Sequence, residues 1–427
     1  MTAVPDRDGP LLRRMPPDMI TRGGRTPVDG DVLRQVEAII NDVRERGDEA
    51  LLEHAIHLGD LDRGAPLIRV RSELESALSD LPAGEREVLE RTAERIERFA
   101  RAQRDTLRDL STPVPGGSAG HTIAPVQRVG CYAPGGRYPL LSSALMTVVP
   151  ARVAGVKSVS VASPRPGPGM LAASAIAGAD SIVAVGGAQA IAALAYGTES
   201  IAACDVIVGP GNCWVTAAKQ IVSADVKIDM LAGPSELVIM ADDSSDPTLV
   251  AADLLAQAEH DPEALPILVT LDERLIDEVE RELGNQLVDL PSGVVARQAL
   301  ANGYVVMAPD LGSAIEICNH LAPEHLQLMV SDAGRWLDQL EHYGSLFIGS
   351  QSAEVLGDYG LGPNHVLPTG GTARFTGGLS VITFLRIRTW LKVDGSLPEV
   401  AADDIEALAR IEGLEAHARA AAMRRVR

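Results

Sequence analysis

VKSVSVAS at Val156–Ser163, MLAASAIAGA at Met170–Ala179, SIVAVGG at Ser181–Gly187, AQAIAALAYG at Ala188–Gly197, DVIVGPG at Asp205–Gly211 and NCWVTAAKQIV at Asn212–Val222 follow one another along the chain. Short β-branched runs alternate with Ala-rich stretches of helical length about every two dozen residues, which is what a parallel sheet with crossover helices requires. After KIDMLAGPS at Lys227–Ser235 the texture resumes with ELVIMADD at Glu236–Asp243, PILVTLD at Pro266–Asp272, YVVMAPD at Tyr304–Asp310, LQLMV at Leu326–Val330 and SLFIGS at Ser345–Ser350. A second sheet therefore follows the first, and the fold class is α/β with two Rossmann-like parallel-sheet domains.

Outward from this core, Asp29 to about Leu110 reads as helical. Asp29 or Asp31 caps the start of VLRQVEAIINDVRERGDEALLEHA, and Pro82–Gly84 separates it from EREVLERTAERIERFARAQRDTL. His54 and His57 lie one turn apart there, but no third ligand is near, so they read as a solvated or packed pair. At the other end, Val400–Arg427 reads as a terminal helix whose final arginines suit a helix C-terminus.

The chain has 427 residues, 46% hydrophobic content and a formal net charge of −20. That size supports two or more domains of roughly 100–200 residues each. The negative charge repels phosphate backbones and anionic lipid, so neither nucleic acid nor membrane is an expected partner. The apolar run Leu140–Ala154 is interrupted by Pro150 and Arg152, and Met1–Arg25 has no apolar stretch of signal-peptide length, so a cytoplasmic protein is expected. Cys131, Cys204, Cys213 and Cys318 form no CxxC pair and read as reduced, buried thiols.

Short polar motifs interrupt this apolar background: QAEH at Gln257–His260, APEHL at Ala322–Leu326, GDYGLGPNH at Gly357–His365 and EGLEAH at Glu412–His417. Burying such groups is costly unless they are coordinated or paired, so they suggest a metal centre with acid and base groups beside it. Three-residue spacing puts Gln257 and His260 on one helix face. Pro323 places Glu324 and His325 at the first turn of a helix or the bend before one, with side chains diverging. Two glycine turns, Gly186-Gly187 and Gly209-Pro210-Gly211, join strand to helix where backbone N–H groups can meet a phosphate, although neither is GxGxxG. The loop GCYAPGGRYP at Gly130–Pro139 adds Tyr132 as a surface for stacking on a flat ring.

In this order the motifs resemble the histidinol dehydrogenase family: YAPGG at Tyr132–Gly136, VGGAQAIAALAYGT at Val185–Thr198, VGPGNCWVTAAK at Val208–Lys219, IDMLAGPSE at Ile228–Glu236, then QAEH, APEHL, GDYGLGPNHVLPT and EGLEAH. The likeness spans roughly residues 28–420. It implies zinc ligands at Gln257, His260, Asp358 and His417, and a catalytic pair at Glu324 and His325. It implies substrate contacts at Ser235, His365 and Glu412, and NAD contacts at Tyr132, Gln189 and Asn212. It further implies a domain-swapped homodimer with shared active sites, in which the tail carrying Glu412 and His417 crosses to the neighbouring subunit. The expected map is an arm at 1–28, a helical region at 29–128 packing on the second sheet domain, a first α/β domain at 129–236 with the NAD-binding loops, a second at 237–385 with the metal and catalytic residues, and the tail at 386–427.

The implied chemistry is a Zn2+- and NAD-dependent oxidation of a primary alcohol through an aldehyde to a carboxylate, with His325 as base and Glu324 activating water. L-histidinol is the leading small-molecule alcohol substrate. Arg137 and Tyr138 stand where the family usually carries small residues, and a guanidinium there suits an anionic alcohol such as a sulfopropanediol. A zinc hydrolase or a catalytically silent homologue are the readings from other classes.

Overall fold

The computed structural model describes residues 9–20, 28–135, 139–394 and 397–424. Its first sheet has six strands in the order Ile68–Val70, Ser181–Val183, Ser158–Ala162, Arg128–Tyr132, Val206–Val208, Lys227–Ile228, and only the edge strand Ile68–Val70 pairs antiparallel. The second has Arg13–Arg14, Tyr304–Met307, Leu265–Thr270, Glu236–Ala241, His325–Met329 and Ser345–Ile348, all parallel. In each, the first strand of the unit lies centrally and the chain winds outward in both directions, the doubly wound arrangement. The run Leu140–Ala154 becomes the crossover helix Leu141–Ala154, which is apolar because almost its whole surface is buried under the first sheet. Among the described residues, no helix is long and apolar enough to cross a membrane.

The N-terminal helices pack differently from the expectation. Val36, Ile40, Val43, Ala50 and Leu51 of helices Gly30–Arg46 and Asp48–His57 join Ile191 and Leu194 in one core beneath the first sheet. Leu74, Ala93 and Ile96 join Leu145 and Val159 on its other face. This region thus covers the first sheet and not the second. The reason is visible in composition: the first sheet's own crossover helices are Ala-rich and short, leaving apolar surface that the long amphipathic helices fill. His54 is satisfied by Asp42, its Nε2 lying 2.9 Å from the carboxylate.

A third, antiparallel sheet was not foreseen. Leu110–Val114, Gly117–Pro125 and Leu385–Val393 pair in the order Leu385–Val393, Gly117–Pro125, Leu110–Val114. Beyond it, the stretch expected as one terminal helix divides into Glu399–Ile411 and Glu415–Ala422. Gly413 makes the break at φ +76, a left-handed conformation that costs glycine little.

The connection between the sheets positions the site. The chain leaves the first sheet at the C-terminal end of Lys227–Ile228 and enters the second at the N-terminal end of Glu236–Ala241, through the linker Asp229–Ser235. The linker therefore joins the C-terminal edge of one sheet to the N-terminal edge of the other. The segment after Asp358 ties the second sheet's edge back to the first sheet: Asn364 Nδ2 donates to the Met146 carbonyl at 2.6 Å, and Val366 and Leu379 enter the first sheet's core.

Candidate metal and cofactor site

Helix Pro247–His260 starts at Asp246, whose carboxylate accepts from Thr248 N at 2.8 Å, with proline in the first turn. A crossover helix runs antiparallel to its strands, so its last turn arrives at their N-terminal edge. Gln257, fully buried, and His260, 41% exposed, are delivered there. Glu324 and His325 reach the same edge by another route. Helix Leu311–Leu321 ends at Ala322, which adopts φ +49, and His325 opens strand His325–Met329. Pro323 thus precedes a strand and not a helix, and divergence of the two side chains follows from the pleat.

Ser235 stands directly before the adjacent strand. Its Oγ donates to Glu324 Oε2 at 2.6 Å and lies 3.5 Å from Gln257 Oε1, while Glu236 N donates to the same Glu324 oxygen at 3.0 Å. Burial holds the Glu324 carboxyl well above the usual carboxylate range, opposed by those two donors. Burial pushes the His325 imidazole down to about 4, against the pull of Asp358. His325 is therefore a neutral ring at ordinary pH, with Nδ1 held 3.2 Å from the Glu236 carbonyl and Nε2 without a hydrogen-bond partner.

The short helix Glu354–Asp358 closes the site. Asp358 lies 3.5 Å from His260 Nε2 and 3.8 Å from His325 Nε2. Burial pushes its carboxyl up, but the bond from His260 and the nearby imidazoles outweigh burial and leave it lowered; His260 is raised, chiefly by its bond to Asp358. His365 Nδ1 lies 2.9 Å from the Asp358 carbonyl, which orients the ring.

Glu354 was not anticipated. It is 3% exposed and 3.6 Å from His325 Nδ1, its Oε2 has no hydrogen-bond partner, and burial raises its carboxyl well above the usual range. Its spacing four residues before Asp358 was the available signal, hidden because the segment reads as loop. Ligand atoms of His260, Glu354 and Asp358 lie within 4.8 Å of one another. Two buried carboxylates, an imidazole and the amide of Gln257, whose Nε2 also lacks a partner, are a donor set suited to a divalent cation. His417 and Glu412 do not join this cluster within one chain; both are exposed on the terminal helix pair, whose main contacts are with each other.

At the C-terminal edge of the first sheet, Tyr132 ends strand Arg128–Tyr132, Gln189 lies in the first turn of helix Gly187–Tyr196 and Asn212 stands directly before helix Cys213–Val222. The Tyr132 ring is buried in the core at 4% exposure and is not a stacking surface; its hydroxyl accepts from Gly187 N at 3.0 Å. Asp60, from the helical region, accepts from Gly186 N at 2.9 Å. Asn212 Oδ1 caps its own helix, accepting from Trp214 N and Val215 N at 3.1 and 3.2 Å. The N–H groups of Gly186, Gly187, Trp214 and Val215 are thus committed to the protein and not free to meet a phosphate. Gln189 is 1% exposed with Nε2 unpartnered. Arg137 lies outside the described residues. Cys131 and Cys318 are buried, Cys204 is half-buried and Cys213 exposed; burial raises the Cys131 thiol to about 12, far from a nucleophilic thiolate.

Residues 25–425 match the family model for histidinol dehydrogenase. The histidinol dehydrogenase of Thermus thermophilus is 49% identical over 401 residues, covering 93% of this chain and 95% of that one. That of Nitratidesulfovibrio vulgaris is 46% identical over 434 residues, covering 99% and 98%. The crystal structure of histidinol dehydrogenase from Elizabethkingia anophelis superimposes with a TM-score of 0.91 at 32% identity, covering 98% of this chain and 99% of that one. The chain belongs to the histidinol dehydrogenase family of NAD-dependent oxidoreductases.

Proposed function

We propose that this enzyme oxidises L-histidinol through an aldehyde to L-histidine, transferring one hydride to each of two NAD molecules. The observation that carries this reading is the convergence of Gln257, His260, Asp358, Glu324 and His325 at the N-terminal edge of the second sheet. Gln257, His260 and Asp358 are the proposed zinc ligands, with His417 of the partner subunit as the fourth. When bound, Zn2+ supplies a Lewis acid that orients the substrate and polarises its oxygen. His325, neutral and with Nε2 unpartnered, takes the hydroxyl proton as hydride leaves the carbon. Water then adds to the aldehyde, its proton taken by Glu324, whose raised proton affinity makes it a stronger base than a solvated carboxylate. The hydrate loses a second hydride and gives the carboxylate.

His365 and the partner's Glu412 are proposed as substrate contacts, and Ser235 as the residue that aims Glu324. A homodimer with swapped tails is supported by the tail's exposed apolar side chains: Ile387 and Leu391 on the strand, then Val400, Leu408 and Ile411 on helix Glu399–Ile411, are 58–82% exposed. A cytoplasmic location is part of the same proposal. Membership of an oxidoreductase family argues against the hydrolase reading, and retention of all five central residues argues against a silent homologue.

The test is NAD reduction followed by absorbance with L-histidinol, with and without chelator. Two NADH per histidinol, lost with chelator, supports the proposal; no turnover of histidinol with turnover of an anionic alcohol overturns the substrate. Arg137 favours that second reading, and Arg137→Ser would then weaken only anionic substrates.

A further inference from the structure

Lys219 is 2% exposed on helix Cys213–Val222, and the Asp229 side chain at the end of strand Lys227–Ile228 is fully buried. The two form an ion pair, yet their remaining bonds go almost entirely to one backbone turn. Lys219 Nζ donates to the Gly209 carbonyl at 3.0 Å, and Asp229 Oδ2 accepts from Gly209 N at 2.8 Å. Both polar groups of a single glycine are therefore held by the two members of one buried pair. Gly209 sits at φ +116, so close to Tyr132 that a Cβ would lie 2.1 Å from the Tyr132 carbonyl oxygen. The turn it begins leads to Asn212.

Asp229 also starts the linker to the second sheet. Its Oδ1 accepts from Met230 N at 2.7 Å, Thr216 Oγ1 on the same helix as Lys219 donates to the Ala232 carbonyl at 2.8 Å, and the linker ends at Ser235 on Glu324. A buried ion pair is weak evidence for stability, because apolar residues of similar volume often do as well. What apolar residues cannot do is hold a strained glycine by its N–H and C=O. We infer that the Lys219–Asp229 pair is a positioning device that locks the turn Gly209–Asn212 against Tyr132 and sets it in register with Ser235, so that its loss weakens NAD binding without weakening substrate binding. This rests on the reading that the turn contacts NAD.

The experiment compares full-length, zinc-supplemented wild type with K219M/D229L and, separately, N212A. Removing both charges avoids a stranded buried ion, so the double variant is expected to fold, with a thermal stability lowered by the unpaired Gly209 N–H and C=O. Calorimetric titration with NAD should show a Kd raised about tenfold or more, and steady-state kinetics a KM for NAD raised more than kcat falls, as small misplacements cost binding geometry. The Kd for L-histidinol and the zinc content should stay within about twofold of wild type, the scatter of an unrelated site. Native NAD affinity in the double variant, with N212A weakened, overturns the inference. Native affinity in N212A as well shows that the turn does not contact the cofactor, and the inference falls with that reading. A double variant that unfolds, or loses zinc and histidinol binding equally with NAD, marks the pair as merely structural and also overturns it.

Discussion

Ser235→Ala tests how the site tunes its carboxylate. Ser235 Oγ–H donates to Glu324 Oε2 at 2.6 Å, and Glu236 N is the other donor to that oxygen, at 3.0 Å. The serine bond stabilises only the ionised form, and a hydrogen bond to a charged group contributes about 1.5–3 kcal/mol. One pKa unit corresponds to about 1.36 kcal/mol, so losing the donor raises the proton affinity of Glu324 by about one to two units. The sign is fixed: the acid becomes weaker, and the pH at which Glu324 becomes a base moves up. The kcat–pH profile for NAD reduction should therefore show its acidic limb displaced upward by about one to two pH units. Ser235→Thr, which keeps the hydroxyl, should return the limb toward wild type. A profile that superimposes on wild type, reduced only in height, refutes the reasoning and leaves Ser235 as a plain substrate contact.

Three further outcomes follow from the same geometry. Stripping zinc with chelator should abolish turnover and lower unfolding stability, and adding zinc at a hundredfold excess over its Kd should restore about 2.7 kcal/mol, read by urea titration; stability indifferent to zinc would contradict the donor set. Gly209→Ala forces a Cβ to 2.1 Å from the Tyr132 carbonyl at φ +116, so a loss of about 1–3 kcal/mol or more is expected by the same titration. His417→Ala and Glu324→Gln should each be inactive alone, yet re-pairing their subunits should recover about a quarter of wild-type activity, because half the dimers then hold one native site; no recovery would place His417 in its own chain's site.

The candidate site was legible in part because its cost is written in residue type. Gln257, Glu324 and His325 are buried polar exceptions in apolar stretches, and burying such groups is expensive unless they are coordinated or paired. Glu354 escaped notice because a five-residue helix has no periodicity to read, and the hairpin Leu110–Val114 with Gly117–Pro125 because its strand pairing with Leu385–Val393 is remote in sequence. Tyr132, which ends strand Arg128–Tyr132, packs into the core instead of offering a ring face, since a ring's direction depends on what packs over it.

Local sequence by itself determined the alternation of strand and crossover helix, the order of the motifs and the residue types available for chemistry, since periodicity and capping act over a few residues. Only the tertiary structure decided that the candidate site gathers at the N-terminal edge of the second sheet, next to the linker from the C-terminal edge of the first. That outcome follows from the short linker Asp229–Ser235 and an antiparallel crossover helix, which help to bring Ser235 against Glu324, 89 residues away. It also decided that the N-terminal helices cover the first sheet, because burial is allotted by which apolar surface remains open once both sheets have formed.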